Sequence, residues 1–129
     1  MPPSPHVDRR ESGAAGEDAA LATLSSAGLR LLARNARYPF GELDLVMLDA
    51  GCVVFVEVRR RASDRFGGAA VSVDGAKRRK LARAAQAWLS SHRQFANASC
   101  RFDVVAVKPG GDGLACEWIR SAFTMDDLW

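Results

Sequence analysis

The sequence predicts an α/β domain in which one central mixed β-sheet is flanked by two main helices, in the order αβββαββ. Two segments have the capping residues and the 3.6-residue apolar spacing of amphipathic helices. Five other segments are short, apolar or alternating, and are separated by turn residues. A chain of 129 residues, 48% of them hydrophobic and 26% charged, is large enough for one core.

The N-terminal part is predicted to be a tail followed by the first helix. Residues 1–10 are rich in proline and have no apolar periodicity, so we expect a flexible tail before a single domain over residues 11–129. The helix is predicted from Ser12, which can cap it, to Ala27, with Gly28 as the glycine that commonly follows a helix. Its predicted apolar stripe consists of Ala14, Ala20, Leu21, Leu24 and Ala27.

Three strands are predicted next, over residues 29–34, 42–48 and 52–58, with a turn over residues 35–41 after the first of them. The third segment is β-branched and apolar almost throughout, as expected for a strand that is buried on both faces. Asp49-Ala50-Gly51 is a tight-turn signal, so the second and third strands should form a hairpin.

A loop over residues 60–73 is predicted to lead into a second helix, which Asp74 caps and which ends near Ser91. Two further strands, over residues 101–108 and 114–120, complete the sheet. The stripe of the second helix consists of Leu81, Ala84, Ala85, Trp88 and Leu89.

Basic residues are concentrated in one stretch of the chain. Residues 59–83 carry a formal charge of +7, whereas the rest of the chain carries −4. Such a basic block favours a polyanionic partner, most often nucleic acid, and the alternative is a solvated helix face next to a basic loop. The candidate nucleic-acid-binding residues are Arg60, Arg61, Arg65, Arg78, Arg79 and Arg83.

Other classes of protein are not favoured by the sequence. No apolar run approaches the roughly 20 residues of a membrane span, and the first ten residues do not have the pattern of a signal peptide. The three cysteines, Cys52, Cys100 and Cys116, have neither disulfide-framework nor zinc-site spacing. We therefore expect a cytoplasmic protein with reduced thiols and no membrane partner.

Two carboxylates interrupt the apolar strands of the predicted hairpin, and burying a bare carboxylate costs several kcal/mol. If Ala50-Gly51 form the turn, Asp44 lies opposite Glu57 on the same face, and Glu42 lies opposite Arg59. A shared Mg²⁺ or Mn²⁺ ion would relieve the repulsion between Asp44 and Glu57. The alternative is that arginines hold these carboxylates in structural salt bridges.

Two more ionisable residues lie on the apolar stripes of the predicted helices. Glu17 is in line with Leu21 and Leu24, so it can face the sheet and join the two carboxylates, or it can extend to water at the edge of the stripe. Lys77 is in line with Leu81. It can reach the same pocket or a phosphate group, and the alternative is an ordinary lysine of the first helical turn.

Residues 41–45 (GELDL) and 54–58 (VFVEV) resemble the core motif of the UPF0102 (YraN-like) family. The resemblance covers about residues 9–124. It implies a restriction-endonuclease-like PD-(D/E)xK fold similar to that of Holliday junction resolvases. Further segments that resemble the family are Gly13 to Ala20, Phe66-Gly67, Val73-Asp74 with Lys77, Arg101 to Val105, and Ala122-Phe123.

The resemblance implies roles for individual residues. Asp44 and Glu57 would bind the metal, and Glu17 corresponds to the acidic residue on the first helix of related resolvases. Arg59 stands where the motif has a lysine. Because arginine stays charged, it cannot act as a general base, but it can hold a phosphate. Together with Lys77, these residues form the candidate catalytic set.

Two main hypotheses about function follow from these observations. The first is a Mg²⁺-dependent endodeoxyribonuclease that acts on branched or otherwise structured DNA. The second is a nucleic-acid-binding module of the same fold whose catalysis is weak or lost, because Arg59 replaces the lysine. A structural protein with salt-bridged carboxylates is a third reading. The resemblance to resolvases also implies a homodimer.

Overall fold

The computed structural model of the chain describes residues 9–60, 74–111 and 113–123. Five strands form one sheet in the order β1-β2-β3-β4-β5, in which β3 and β4 are parallel and the other neighbours are antiparallel. The elements are α1 (Arg9–Ser26), β1 (Arg30–Tyr38), β2 (Gly41–Asp49), β3 (Cys52–Arg60), α2 (Gly75–Ser90), a 3₁₀ turn (Arg93–Phe95), β4 (Cys100–Gly110) and β5 (Gly113–Phe123). The predicted α/β class and the order αβββαββ are confirmed.

Each face of the sheet has its own hydrophobic cluster and its own helix. Leu24 of α1 packs with Val54 of β3, whereas Trp88 of α2 packs with Phe55, its indole ring edge-on to the phenyl ring at 6.0 Å. Successive β3 residues therefore serve opposite clusters, and all four from Val53 to Val56 are buried. This explains why the third strand is apolar throughout rather than alternating.

The predicted hairpin of β2 and β3 is confirmed in its register. Asp49 pairs with Cys52, and the ladder runs back from there to Leu45 and Val56. Ala50 and Gly51 both have positive φ angles, of 49° and 88°, which is typical of the two-residue turns that match the twist of a hairpin.

The first strand is longer than the sequence predicts. β1 continues through Asn35 to Tyr38, which pairs with Gly41, so the turn is confined to residues 39–40. Asn35 has a φ of 56°, a left-handed conformation that asparagine tolerates better than most residues. The strand passes through this irregularity and continues. The sequence prediction was wrong here because asparagine and proline together resemble a turn.

Helix α1 begins three residues before the predicted Ser12. Ala20 and Leu24 of the predicted stripe are buried, but Ala14 and Ala27 are exposed because only the middle of the helix covers the sheet. Gly28 has a φ of 99°, which confirms its predicted role after the helix end.

Helix α2 has the predicted cap and the predicted buried face. The Asp74 side chain accepts a hydrogen bond of 2.8 Å from the Lys77 backbone N–H. The residues of the predicted stripe are buried, apart from half-buried Leu89. Helix α2 packs closely against the start of β2, since a Cβ atom on Gly41 would lie 2.9 Å from the Lys80 carbonyl oxygen.

Some predictions concern residues that lie outside the described part of the chain. These are most of the N-terminal tail (residues 1–8), the basic loop over residues 61–73 with Arg61 and Arg65, and residues 124–129. Among the described elements, neither helix combines the length and the apolar character required to span a bilayer.

Candidate functional site

Asp44 lies where strands β2 and β3 stop pairing. The ladder between them ends at Leu45 and Val56, and the backbone N–H of Val58 donates a hydrogen bond of 2.8 Å to Asp44 Oδ2. A side-chain oxygen thus replaces the backbone acceptor that a continued ladder would supply. The carboxyl group of Asp44 is therefore held in the gap that opens between the two strands.

Two glutamates lie close to Asp44, one on helix α1 and one on its own strand β2. One carboxylate oxygen from each of Glu17, Glu42 and Asp44 lies within 4.8 Å of the others. Glu17 comes from α1 and its side chain is 14% exposed, so it faces the sheet as predicted. The structure thus assembles three carboxylates from one helix and one strand.

Glu42 was not predicted to be a site residue. The prediction that it lies opposite Arg59 was wrong, because the β2–β3 ladder ends before it reaches these two residues. Glu42 instead pairs with Arg37 of β1. Glu42 and Asp44 are two residues apart on β2, and this spacing was the signal in the sequence that could have identified Glu42 as a neighbour of Asp44.

Arginines of β1 bind two of these carboxylates. Arg34 Nε lies 3.2 Å from Glu17 Oε1, and Arg37 Nε lies 3.8 Å from Glu42 Oε2. Both glutamates are therefore held in ion pairs, an alternative that the sequence raised only for the two carboxylates of the predicted hairpin. Within the described segments, Asp44 has no ion pair with a lysine or arginine.

Glu57 and Lys77 stand on the other side of Asp44. Glu57 lies next to Asp44, close enough for its negative charge to raise the pKa of Asp44, and Lys77 Nζ lies 3.5 Å from Glu57 Oε1. Glu57 also lines a cavity with Phe55 and Leu81, which belong to the cluster under α2. The structure therefore brings Glu57 to Asp44, and Asp44 connects the acids near α1 to the Glu57–Lys77 pair.

The crowding of carboxyl groups changes their acidity. Burial, and next the negative charge of Glu57, raise the pKa of Asp44 from 3.8 to about 7, and the Val58 N–H partly opposes the rise. Burial also raises the pKa of Glu57, against the opposing effects of Lys77 and Arg59. The Asp44–Glu57 pair therefore holds a proton near neutral pH.

The donor set fits a hard divalent cation. Glu17, Glu42 and Asp44 offer only oxygen atoms, which are the ligands that Mg²⁺ and Mn²⁺ prefer. A divalent charge between them would relieve the repulsion that disfavours ionised Asp44. Glu57 is outside the group of three and reaches it through Asp44.

The predicted nucleic-acid-binding arginines that the structure describes lie on β3 and α2. Arg60, Arg79 and Arg83 are exposed, whereas Arg78 is half-buried with its guanidinium 5.3 Å from the centre of the Phe123 ring. Arg59 is half-buried on β3, close enough to Glu57 to lower its pKa. These cations lie on β3 and α2, the two elements that carry Glu57 and Lys77.

Asp103 on β4 is a second buried carboxylate, and the sequence did not predict that it lies in the core. It is fully buried and accepts hydrogen bonds from Arg101 Nε at 3.0 Å, Trp118 Nε1 at 2.9 Å and the Ser121 N–H at 2.9 Å. Arg101 also binds Asp49, at 3.0 Å. Because these donors satisfy both of its oxygens, Asp103 is a structural residue that joins β4 to β5.

The substitution Asp44→Asn is expected to stabilise the protein above about pH 7. A raised folded-state pKa means that the native state binds the proton more tightly than the unfolded state, so this contribution is complete at about pH 4 and is lost as the pH rises through about 7. Asparagine stays neutral and can still accept the Val58 N–H. We expect a gain on the order of 1–3 kcal/mol in the free energy of urea unfolding at about pH 8.

The matched control for this prediction is Asp18→Asn, since the Asp18 side chain is 67% exposed. It should show no pH-dependent gain in stability. A variant Asp44→Asn that is less stable than the wild type at about pH 8 would contradict the prediction.

Comparison with known proteins gives one family. Residues 16–107 match the family model described as "Uncharacterised protein family UPF0102". The chain is 56% identical to a UPF0102 protein of Xanthomonas euvesicatoria pv. vesicatoria over 119 residues, which is 92% of this chain and 96% of the relative. It is 54% identical to a UPF0102 protein of Xylella fastidiosa over 121 residues, which is 94% of this chain and 98% of the relative.

Proposed function

The chain belongs to the UPF0102 family, and we propose that it is a nucleic-acid-binding protein that cleaves branched or otherwise structured DNA in a Mg²⁺-dependent reaction. The observation that carries this proposal is the position of Asp44 in the gap between β2 and β3. It lies between Glu17 and Glu42 on one side and the Glu57–Lys77 pair on the other.

The architecture supports a restriction-endonuclease-like fold for this chain. Helices on both faces of a mixed sheet, and acidic residues where two strands of a hairpin separate, agree with the motif resemblance of residues 41–45 and 54–58. In this fold the two halves of the motif lie on the second and third strands, as Asp44 and Glu57 do here.

The residues of the site would have different roles in the proposed cleavage. Glu17, Glu42 and Asp44, whose oxygen atoms lie within 4.8 Å of one another, would hold the metal, and Glu57 would complete the set from its place beside Asp44. When bound, Mg²⁺ or Mn²⁺ polarises a phosphoryl oxygen and lowers the pKa of a water molecule. Lys77 orients that water, or steadies the developing negative charge, from its place beside Glu57.

The cations around the site would bind the nucleic-acid backbone. Arg59 remains charged at any working pH and is suited to hold a phosphate through two hydrogen bonds. The more distant contacts give affinity that depends on salt and tolerates different sequences. The proposed set comprises Arg60, Arg61, Arg65, Arg78, Arg79 and Arg83.

A second candidate function is a nucleic-acid-binding module with weak or no catalysis. It is favoured by Arg59, which replaces the lysine of the motif, and by Arg34, which neutralises part of the charge of Glu17. Both functions use the same surface, so binding alone cannot separate them, and turnover can.

The test is a cleavage and binding assay with a four-way junction, a flap and a plain duplex, each with Mg²⁺, Mn²⁺ or EDTA. We expect metal-dependent cleavage that is strongest on a branched substrate and lost in Asp44→Asn and Glu57→Gln, with Asp18→Asn as the exposed control. Binding without cleavage under every metal would favour the module instead. No binding to any substrate at low salt would reject both functions.

Two further measurements do not depend on turnover. Mg²⁺ should raise the melting temperature of the wild type but not that of Asp44→Asn, because a ligand stabilises only the state that binds it. Light scattering with and without a four-way junction measures the molecular mass and so tests the proposed homodimer. A two-fold symmetric dimer would match the two-fold symmetry of such a substrate. Equal Mg²⁺ shifts in both proteins would place the metal elsewhere.

A further inference from the structure

An aromatic platform lies at the tip of the hairpin formed by β1 and β2. The rings of Tyr38 and Phe40 are stacked, with centroids 5.7 Å apart and planes that differ by 6°. The guanidinium of Arg83, an exposed residue of α2, lies 4.8 Å from the centre of the Phe40 ring. Tyr38 and Phe40 are half-buried residues that pack against the hydrophobic cluster under α2, and part of each residue remains open to solvent.

The platform is adjacent to the acidic site along the chain. Phe40 is followed by the first residue of β2, and Glu42 is the second. The backbone of Gly41 also lies close to the Lys80 carbonyl, which fixes the hairpin tip against α2. Exposed Lys80, whose carbonyl lies against Gly41, adds positive charge at the hairpin tip, whereas the charge of Arg37 is offset by Glu42 at 3.8 Å.

We propose that Tyr38, Phe40 and Arg83 form a platform on which an unpaired nucleobase stacks, next to the acidic site. This inference rests on the proposed function and specifies its substrate class as DNA with single-stranded nucleotides at a branch or end. Aromatic rings and arginine planes stack on any base, so the platform selects unpaired over paired nucleotides without reading sequence. The positive charges of Arg83 and Lys80 favour a polyanion over an apolar peptide.

Two arginines of α2, Arg83 and Arg78, each lie over an aromatic ring, and comparing them distinguishes base stacking from packing within the protein. Arg78 covers Phe123 from the other flank of α2, at 5.3 Å, but Phe123 is only 3% exposed and cannot receive a base. Arg78 therefore has the same type of contact as Arg83 without an accessible ring. This makes it the matched control.

The test compares two DNA probes in EDTA at low salt, a blunt duplex and the same duplex with a single-stranded tail of about ten nucleotides. The tail carries 2-aminopurine at its first unpaired position. We expect Phe40→Leu to weaken binding of the tailed probe roughly fivefold to tenfold and to reduce the fluorescence quenching, with the blunt duplex little affected. Arg83→Gln, an exposed change, should shift the same preference even if Phe40→Leu folds poorly.

The control Arg78→Gln should weaken both probes equally, because it removes one charge and no stacking surface. If the wild type binds both probes but Phe40→Leu and Arg83→Gln leave their ratio and the quenching unchanged, the platform is overturned and the proposed function survives. If the wild type binds neither probe, both are overturned. A changed oligomeric state with an unchanged ratio would assign the rings to contact between copies and also overturn the inference.

Discussion

Replacing Asp103 with alanine is expected to lower the free energy of unfolding by about 3–5 kcal/mol, a large share of the stability of a small domain. The carboxylate is fully buried, and its removal leaves the Trp118 indole N–H and the Ser121 amide without their acceptor and leaves Arg101 with Asp49 as its remaining carboxylate partner. Buried donors that lose their acceptor cost more free energy than the hydrogen bonds themselves contribute, and the loss of one side of a buried ion pair adds to this cost. Urea denaturation followed by far-UV circular dichroism measures the loss.

The control for Asp103→Ala is Asp18→Ala. Asp18 forms an ion pair of 2.8 Å with Arg34, shorter than that of Asp103 with Arg101, but its side chain is 67% exposed. Exposed pairs contribute about 0–1 kcal/mol, so this variant should unfold nearly like the wild type. Similar losses in both variants would show that burial of Asp103 is not the cause.

The strands of the fold were predictable to different degrees, for physical reasons. The hairpin of β2 and β3 follows from local information, since a tight turn at Ala50-Gly51 fixes which residues pair. The length of β1 does not follow from local information, because the strand continues past Asn35 through the pairing of its neighbours Arg34 and Ala36 with β2. The exposure of Ala14 likewise depends on how far the sheet extends beneath α1, which the helical period alone does not specify.

The candidate site was predictable where the hairpin determines it and not where tertiary packing does. Opposed positions on two strands place Asp44 near Glu57, whereas the contacts of Glu17 and Glu42 with β1 arginines depend on how α1 and β1 dock. The sequence pattern alone does not distinguish the structural acid Asp103 from the candidate site residue Glu57. Like Glu57, Asp103 is a lone acid between two apolar strand residues, so the sequence patterns are alike.

The neighbours of the two acids distinguish them. Asp103 is surrounded by donors that satisfy it, as expected of a structural carboxylate. Glu57 lies beside a second carboxyl group, that of Asp44, whose pKa is raised by burial and then by the negative charge of Glu57, and a bound cation would relieve this repulsion. The partnership of Glu57 with a second acid, rather than burial alone, therefore makes it a functional candidate.

Replacing Lys77 with methionine is expected to reduce the proposed cleavage by on the order of 100-fold to 1,000-fold, the usual effect of removing one charge-stabilising donor. Lys77 is the lysine that contacts a carboxylate of the site, with Nζ 3.5 Å from Glu57 Oε1, and Arg59 cannot exchange a proton in its place. Methionine retains the length and the apolar stem but not the charge. Single-turnover cleavage of a branched substrate measures the effect.

Lys80→Met is the control, since Lys80 is an exposed lysine one turn along the same helix. Both substitutions remove one positive charge, so both should weaken binding to uncleaved DNA by a similar small factor. Only Lys77→Met should slow the chemical step, and Lys77→Arg should recover part of the rate if charge beside Glu57 is what matters. Equal cleavage by Lys77→Met and the wild type would remove Lys77 from the catalytic set and leave Arg59 as the candidate cation beside Glu57.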